Sequence, residues 1–182
     1  MLKIHHKVQA MNTLDIHDDR VWRDIRRLAT ESFWSSLHYS LASIASDGTP
    51  HVTPIGSLRL LPDRTGVYFE IFTQGMARNL DLNPKVCVLA VNSSRWFWLR
   101  SLYQGRFNAL PGVRLYGEAG PCRAATSDEV AWWERRVGRA RSLKGYSLLW
   151  GRDRLTHVRT IQFTYAAPVQ LGEMTQGLFG RD

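Results

Sequence analysis

Apolar positions change their period several times along the chain. Val21, Ile25 and Leu28 fall at i, i+4 and i+7 with Arg20, Arg23, Arg26 and Arg27 around them, which predicts an amphipathic helix over Asp19 to Thr30. Asp18 or Asp19 can accept from the free amides of its first turn. Phe33 and Trp34 are expected to pack beyond its end. From His38 the period drops to two. Tyr39 to Ser46 and His51 to Leu61 read as strands joined at Asp47-Gly48, where Gly tolerates the positive φ of a hairpin turn. Pro62-Asp63-Arg64-Thr65-Gly66 makes the next turn, and Val67 to Thr73 is a strand rich in β-branched and aromatic residues. Gln74-Gly75 opens a short helix over Met76 to Leu82. Asn83-Pro84 stops it, because the residue before Pro is pushed out of the helical region.

The second half is less regular. Lys85 to Asn92 is a strand whose apolar residues do not alternate, so both of its faces are expected to be buried. Ser93 to Gly112 has no clear period and reads as a long irregular loop carrying Trp96, Phe97, Trp98, Tyr103, Phe107 and Leu110. Val113 to Ala124 is a fifth strand. Thr126 and Glu129 have capping-box spacing and open a helix with Val130, Trp133 and Val137 on one side. Leu155 to Leu171 is the last strand, with His157, Arg159, Ile161, Phe163 and Tyr165 on one face. Consecutive hairpins imply a mainly β, mostly antiparallel architecture, and about six strands would curl into a barrel. Residues 1–17 are polar and patternless and read as a loosely ordered segment. Residues 18–182 contain no linker and read as one domain.

Composition narrows the function classes. The chain has 182 residues, of which 44% are apolar and 22% charged, as in an ordered globular protein. The unbroken aliphatic run Val86 to Val91 is far short of the ~18 residues of a membrane span. Met1 to Lys7 lacks the apolar core of a secretory signal, so a cytoplasmic location is expected. Cys87 and Cys122 make neither a disulfide framework nor a zinc site and read as buried small hydrophobes. His5-His6 is a weak metal signal, and no metal site is expected. The net charge of +8, carried mostly by Arg, favours anionic partners. Arg20 to Arg27 and Arg135 to Arg141 raise nucleic-acid binding, but no recognition motif accompanies them, so solvated faces are the preferred reading. Phosphate-loop, dinucleotide-binding, zinc-protease and nucleophile-elbow motifs are absent, and the acids are scattered. No catalytic residue is identifiable, and any chemistry is expected to come from a cofactor.

One stretch carries a resemblance. Leu41-Ala42-Ser43-Ile44-Ala45-Ser46-Asp47-Gly48-Thr49-Pro50-His51-Val52-Thr53-Pro54-Ile55-Gly56 is followed by Val67-Tyr68-Phe69, Ala77-Arg78-Asn79-Leu80 and Asn83-Pro84-Lys85-Val86. In order and spacing these resemble the FMN-binding split barrels of the pyridoxamine 5'-phosphate oxidase-like superfamily. The resemblance implies a six-stranded antiparallel split barrel. It also implies a homodimer with two cofactor sites at the subunit interface. Thr53, Pro54, Ile55 and Gly56 would lie against the flavin ring. Phe72, Thr73, Gln74, Arg78 and Asn79 would receive the phosphate. A helix N-terminus offers free amides to an anion, Arg78 adds a full charge, and Gly56 lets a planar ring approach the backbone. The other reading of these residues is structural: Pro54 and Gly56 marking a bulge or edge, and Arg78-Asn79 capping the short helix.

The implied function is an FMN-dependent oxidoreductase acting on a small molecule. The alternative is a non-catalytic protein that binds flavin, F420 or haem. Two departures bear on this. Gln74, Gly75 and Met76 stand where the family often has Ser or Arg followed by a phosphate-binding Lys. The ending Gly177 to Asp182 lacks the Arg and His pattern of the true pyridoxamine phosphate oxidases. Trp96, Trp98 and Tyr103, with Trp132, Trp133 and Trp150, could stack on a ring system. Covering a dimer interface is their preferred role.

Overall fold

The period-two segments pair into one antiparallel sheet. In the computed structural model, which describes residues 13–138 and 142–178, the strands are β1 (Tyr39–Ile44), β2 (Pro50–Ile55), β3 (Arg59–Leu60), β4 (Thr65–Phe69), β5 (Lys85–Val91), β6 (Gly112–Ala124) and β7 (His157–Pro168). The order across the sheet is β2-β1-β5-β6-β7-β4-β3. Five α-helices accompany it among the described residues: α1 (Asp19–Ser36), α2 (Gln74–Leu82), α3 (Arg95–Gln104), α4 (Ser127–Val137) and α5 (Tyr146–Trp150). The architecture is therefore mixed rather than mainly β. It has seven strands rather than six, and hydrogen bonds do not close the sheet into a ring.

The extra strand arises where the expected strand His51 to Leu61 breaks. Ser57 lies between β2 and β3, and its hydroxyl accepts from Phe69 N at 2.9 Å and donates to Phe69 O at 3.3 Å. Its side chain thus substitutes for a ladder rung, and the chain leaves β1 to pair with β4. This link has a geometric consequence. β2 and β3 are the two edges of the sheet, yet four backbone steps join Ile55 to Arg59 and can span at most about 14 Å. A flat sheet of this size would hold its edges nearly 30 Å apart at about 4.8 Å per strand. The sheet must curl until its edges approach.

Its concave face is filled by Leu41, Val88, Val113, Leu115, Ile161 and Ala166, all with at most 1% exposure, and α1 seals it with Trp22, Ile25, Leu28, Ala29 and Phe33. Asp18 caps α1 by accepting from Arg20 N and Val21 N. The helix runs six residues past the expected end at Thr30, because Phe33 continues its buried face, and it stops where Leu37 turns left-handed at φ 63°. Ahead of α1, Leu14 bridges Ala166 and Ile16 is buried, so the segment expected to be loose is tied down at its C-terminal end.

Two further expectations are corrected. The supposed loop contains α3, capped by Ser94 and ended by Gly105 at φ 64°. Its aromatic and aliphatic residues surround the helix, so no one-sided period advertises it. On β7, Phe163 pairs with Gly117 while Tyr165 pairs with Tyr116, which leaves Thr164 as an extra residue. This bulge reverses the alternation: Phe163 faces the core, Tyr165 faces out and Ala166 faces in. Gly117 permits the bulge, since a Cβ there would meet Gln162 O at 2.2 Å. The hairpin and cap signals appear as expected. Gly48 has φ 85°, Asn83 stops α2 in an extended conformation, and Thr126 and Glu129 form the reciprocal capping box.

Candidate functional site

The end of β2 and the start of α2 meet at one edge of the curled sheet. Along β2, His51, Thr53 and Ile55 share the more buried face. Helix α2 lies against that face. Asn79 Nδ2 is 3.3 Å from Ser43 Oγ and 3.2 Å from His51 Nδ1. A Cβ on Gly75 would sit 3.5 Å from His51 Cε1. His51 is therefore a positioning residue that motif reading did not single out, although period two places it beside Thr53.

A cavity of about 280 Å³ opens here. It brings together Thr53, Pro54, Ile55, Gly56, Phe72 and Thr73, six of the nine residues expected to meet a cofactor. Ser57, Phe69 and Ile71 complete that side. Leu149 and Trp150 of α5, a helix not anticipated from the sequence, form the opposite wall. Gln74, Arg78 and Asn79 do not line it. Asn79 is a strut between α2 and the sheet, while Gln74 and Arg78 are exposed on α2. At Gly56 the place of the missing Cβ is only 3.2 Å from Leu37 O, so the glycine also makes room for the chain's own backbone.

The turn into α2 is strained and unneutralised. Phe72 has φ 58°, a left-handed conformation that costs a bulky residue about 1–3 kcal/mol. Its ring is 65% exposed at the cavity, with the Arg154 guanidinium 4.8 Å from its centroid. Thr73 precedes the helix without a side-chain cap, and the first turn of α2 contains no acid. The amides and partial positive charge of this helix end are thus available to an anion. Met76, where the family often has Lys, is wholly buried. Arg78 makes no ion pair among the described residues.

The far end of α2 is clamped. Arg159, 2% exposed, donates to Glu70 at 2.6 Å, to Asp81 at 2.9 Å and to Gly120 O at 3.0 Å. Burial opposes its charge, but the bonds to Glu70 and Asp81 more than offset this and hold its pKa above the usual value. Burial, and then the adjacent Glu70, push the Tyr68 hydroxyl far up. Neither group reaches the cavity.

The remaining aromatic and cysteine expectations divide. Trp133 is fully buried within its own chain, in ring contact with Phe33, Trp132 and Trp150. Trp98 packs edge-on to Phe107 and donates to Asn92 O. Trp96 and Tyr103 are exposed on α3 and do not line the cavity. Cys122 is exposed and Cys87 half-buried, so neither is the buried hydrophobe expected. His5, His6, Arg139 and Arg141 lie outside the described residues. No group of three or more metal-ligating side chains occurs among the described residues, and none of their helices is long and apolar enough to cross a membrane.

Comparison with known proteins gives the same frame. No curated protein matches the chain. Among solved structures, an FMN-binding protein from Syntrophomonas wolfei subsp. wolfei is similar at 15% identity and a TM-score of 0.56, covering 86% of this chain and 90% of its own. HupZ of Group A Streptococcus is similar at 19% identity and a TM-score of 0.51, covering 82% and 94%. At these identities the likeness shows the fold. The family model for pyridoxamine 5'-phosphate oxidase matches residues 29–158, a segment that holds both walls of the cavity, α2 and its strut to the sheet, and by that match the chain belongs to the pyridoxamine 5'-phosphate oxidase family.

Proposed function

We propose that the protein is an FMN-binding flavoprotein oxidoreductase, with the flavin ring against Thr53 to Gly56 and the phosphate at the N-terminus of α2. The observation that carries this reading is the convergence of the β2 end, the strained Phe72 turn and an uncapped, acid-free helix start on one cavity. The residues present suit the group. The cavity wall is mostly apolar, as a ring system requires. The anion is received by helix amides and by Arg78, one turn on, in place of the missing Lys. Bound flavin would supply the electron or hydride transfer. The chain's own part is to hold the ring against β2 and exclude water from it with Leu149 and Trp150.

A homodimer completes the site in this reading. The cavity of about 280 Å³ falls just below the roughly 300–1,000 Å³ of ordinary cofactor pockets. The outer face of the sheet supplies a surface for a second copy. Val52, Ala42, Cys87, Tyr116 and Tyr165 form one cross-strand row over β2, β1, β5, β6 and β7. Tyr116 and Tyr165 stack at 4.5 Å. A solvated sheet face is normally polar, and this row is not.

A second reading is a binding protein without catalysis. It is favoured by a cavity wall with no acid, base or thiol. One experiment tests both. The purified chain is titrated with FMN, and with F420 and haemin in parallel, following flavin fluorescence and visible absorbance. Saturable FMN binding that Arg78→Ala weakens about tenfold, or ~1.4 kcal/mol, is expected. FMN binding with no oxidation of NAD(P)H or other donors supports the second reading. A chain that takes up no FMN at tens of micromolar sinks the first.

A further inference from the structure

A second cavity, of about 210 Å³, lies between α1, β1, β3 and α4. Three arginines from three elements line it: Arg26 of α1, Arg59 of β3 and Arg136 of α4. All three are half-buried, and no carboxylate is on the wall. None of them makes an ion pair among the described residues. Arg26 spends its Nε on Leu60 O. Arg59 lies 5.0 Å from the Trp132 ring centroid. Arg136 is held by ring faces, 4.0 Å from Phe33 and 5.2 Å from Trp132. Its Nε and Nη2 are buried and have no hydrogen-bond partner.

Those two atoms have no surface open to the cavity, so an anion there meets the charge of the guanidinium rather than their N–H bonds. A buried charge without a counter-charge is costly, and aromatic faces compensate only part of it. Burial accordingly holds the Arg136 pKa below its usual value, with only the Tyr39 hydroxyl acting against this. The counter-charge that fits is an oxyanion in the cavity that Arg136 itself lines, where Arg26 and Arg59 share the wall. The volume limits its size. At about 210 Å³ the cavity is smaller than the roughly 300 Å³ at which ordinary ligand pockets begin, so it takes a phosphate-sized group and not a nucleotide.

We propose that the cavity between α1, β3 and α4 is a phosphate-binding site, in which the guanidinium charges of Arg26, Arg59 and Arg136 together neutralise the oxyanion. The site is separate from the flavin cavity, since the two share no lining residue. A free phosphate ion and the phosphate of a small metabolite present the same chemistry to it.

The test uses the purified full chain without added flavin. Inorganic phosphate and glycerol 3-phosphate are titrated at constant ionic strength against chloride, reading melting temperature and phosphorus line width. A saturable rise in melting temperature is expected, with Arg59→Gln and Arg136→Met each weakening binding about tenfold or more. Arg23→Gln, an exposed arginine of α1 outside the cavity, is expected to leave it unchanged. Tighter binding of glycerol 3-phosphate would assign a metabolite as the source, and tighter inorganic phosphate the free ion. If Arg136→Met fails to fold, Arg59→Gln decides alone. No stabilisation beyond chloride overturns the proposal, as does full binding by Arg59→Gln. Binding that vanishes in Arg78→Gln but survives in Arg59→Gln also overturns it, because phosphate is then reading the flavin cavity.

Discussion

Arg159 and Arg136 are both drawn out of solvent, and the fold treats them in opposite ways. Arg159 meets two carboxylates and a carbonyl, and its charge is strengthened. Arg136 meets three aromatic rings and no carboxylate, and its charge is weakened. The first is a clamp that ties β7 to α2 and to the chain beyond β4. The second is a charge that no acid neutralises among the described residues. Burial of an arginine therefore says little by itself; the inventory of its partners separates a strut from a receptor. Arg123 stands between them, as a partly exposed pair with Glu129 at 2.6 Å that reinforces the cap of α4.

The contrast can be broken most directly at the clamp. Arg159→Ala strands Glu70 inside the protein and is expected to cost about 3–5 kcal/mol in urea denaturation. A loss under 1 kcal/mol would mean that the clamp is no strut. Glu129→Gln comes next, at about 1 kcal/mol near neutral pH. The Arg123 hydrogen bond, chiefly, holds the Glu129 carboxyl below its ordinary value of 4.5. Such a group stabilises the fold above that value and stops doing so as pH falls through the lower folded one. The variant should therefore flatten the stability drop below pH 4.5; an unchanged acid limb would refute the coupling.

Asp81→Asn is smaller. Its side chain is 62% exposed, so solvent screening limits the loss to about 0.5 kcal/mol. Arg136→Met should be smallest, within about 0.5 kcal/mol in phosphate-free buffer, because a removed unpaired charge offsets the lost ring contacts. A cost as large as that of Arg159→Ala would show that ring faces alone satisfy Arg136, and the comparison would fail.

Much of the fold is legible in local pattern. Asp18 and Thr126 as caps, the Asp47-Gly48 turn and the Asn83-Pro84 stop depend on neighbours in sequence, and the structure shows each of them. Thr53 to Gly56 and Phe72-Thr73, each a short run of neighbours in sequence, also reach one cavity. What escaped is non-local. Leu149 and Trp150 reach that cavity from α5, far along the chain from β2. The approach of Leu37 O to Gly56 is likewise non-local. The Thr164 bulge reversed the face of Tyr165, since one unpaired residue shifts a period of two by half.

By itself, the order of residues determined which segments are helix or strand and where most of them stop, because capping, turn chemistry and periodicity act over a few residues. Only the tertiary structure decided how the edges of the sheet meet, which arginine finds an acid, and which is left among aromatic rings. Those outcomes depend on contacts between segments tens of positions apart, whose free energies follow from packing and desolvation in three dimensions and leave no signature in any short stretch of sequence.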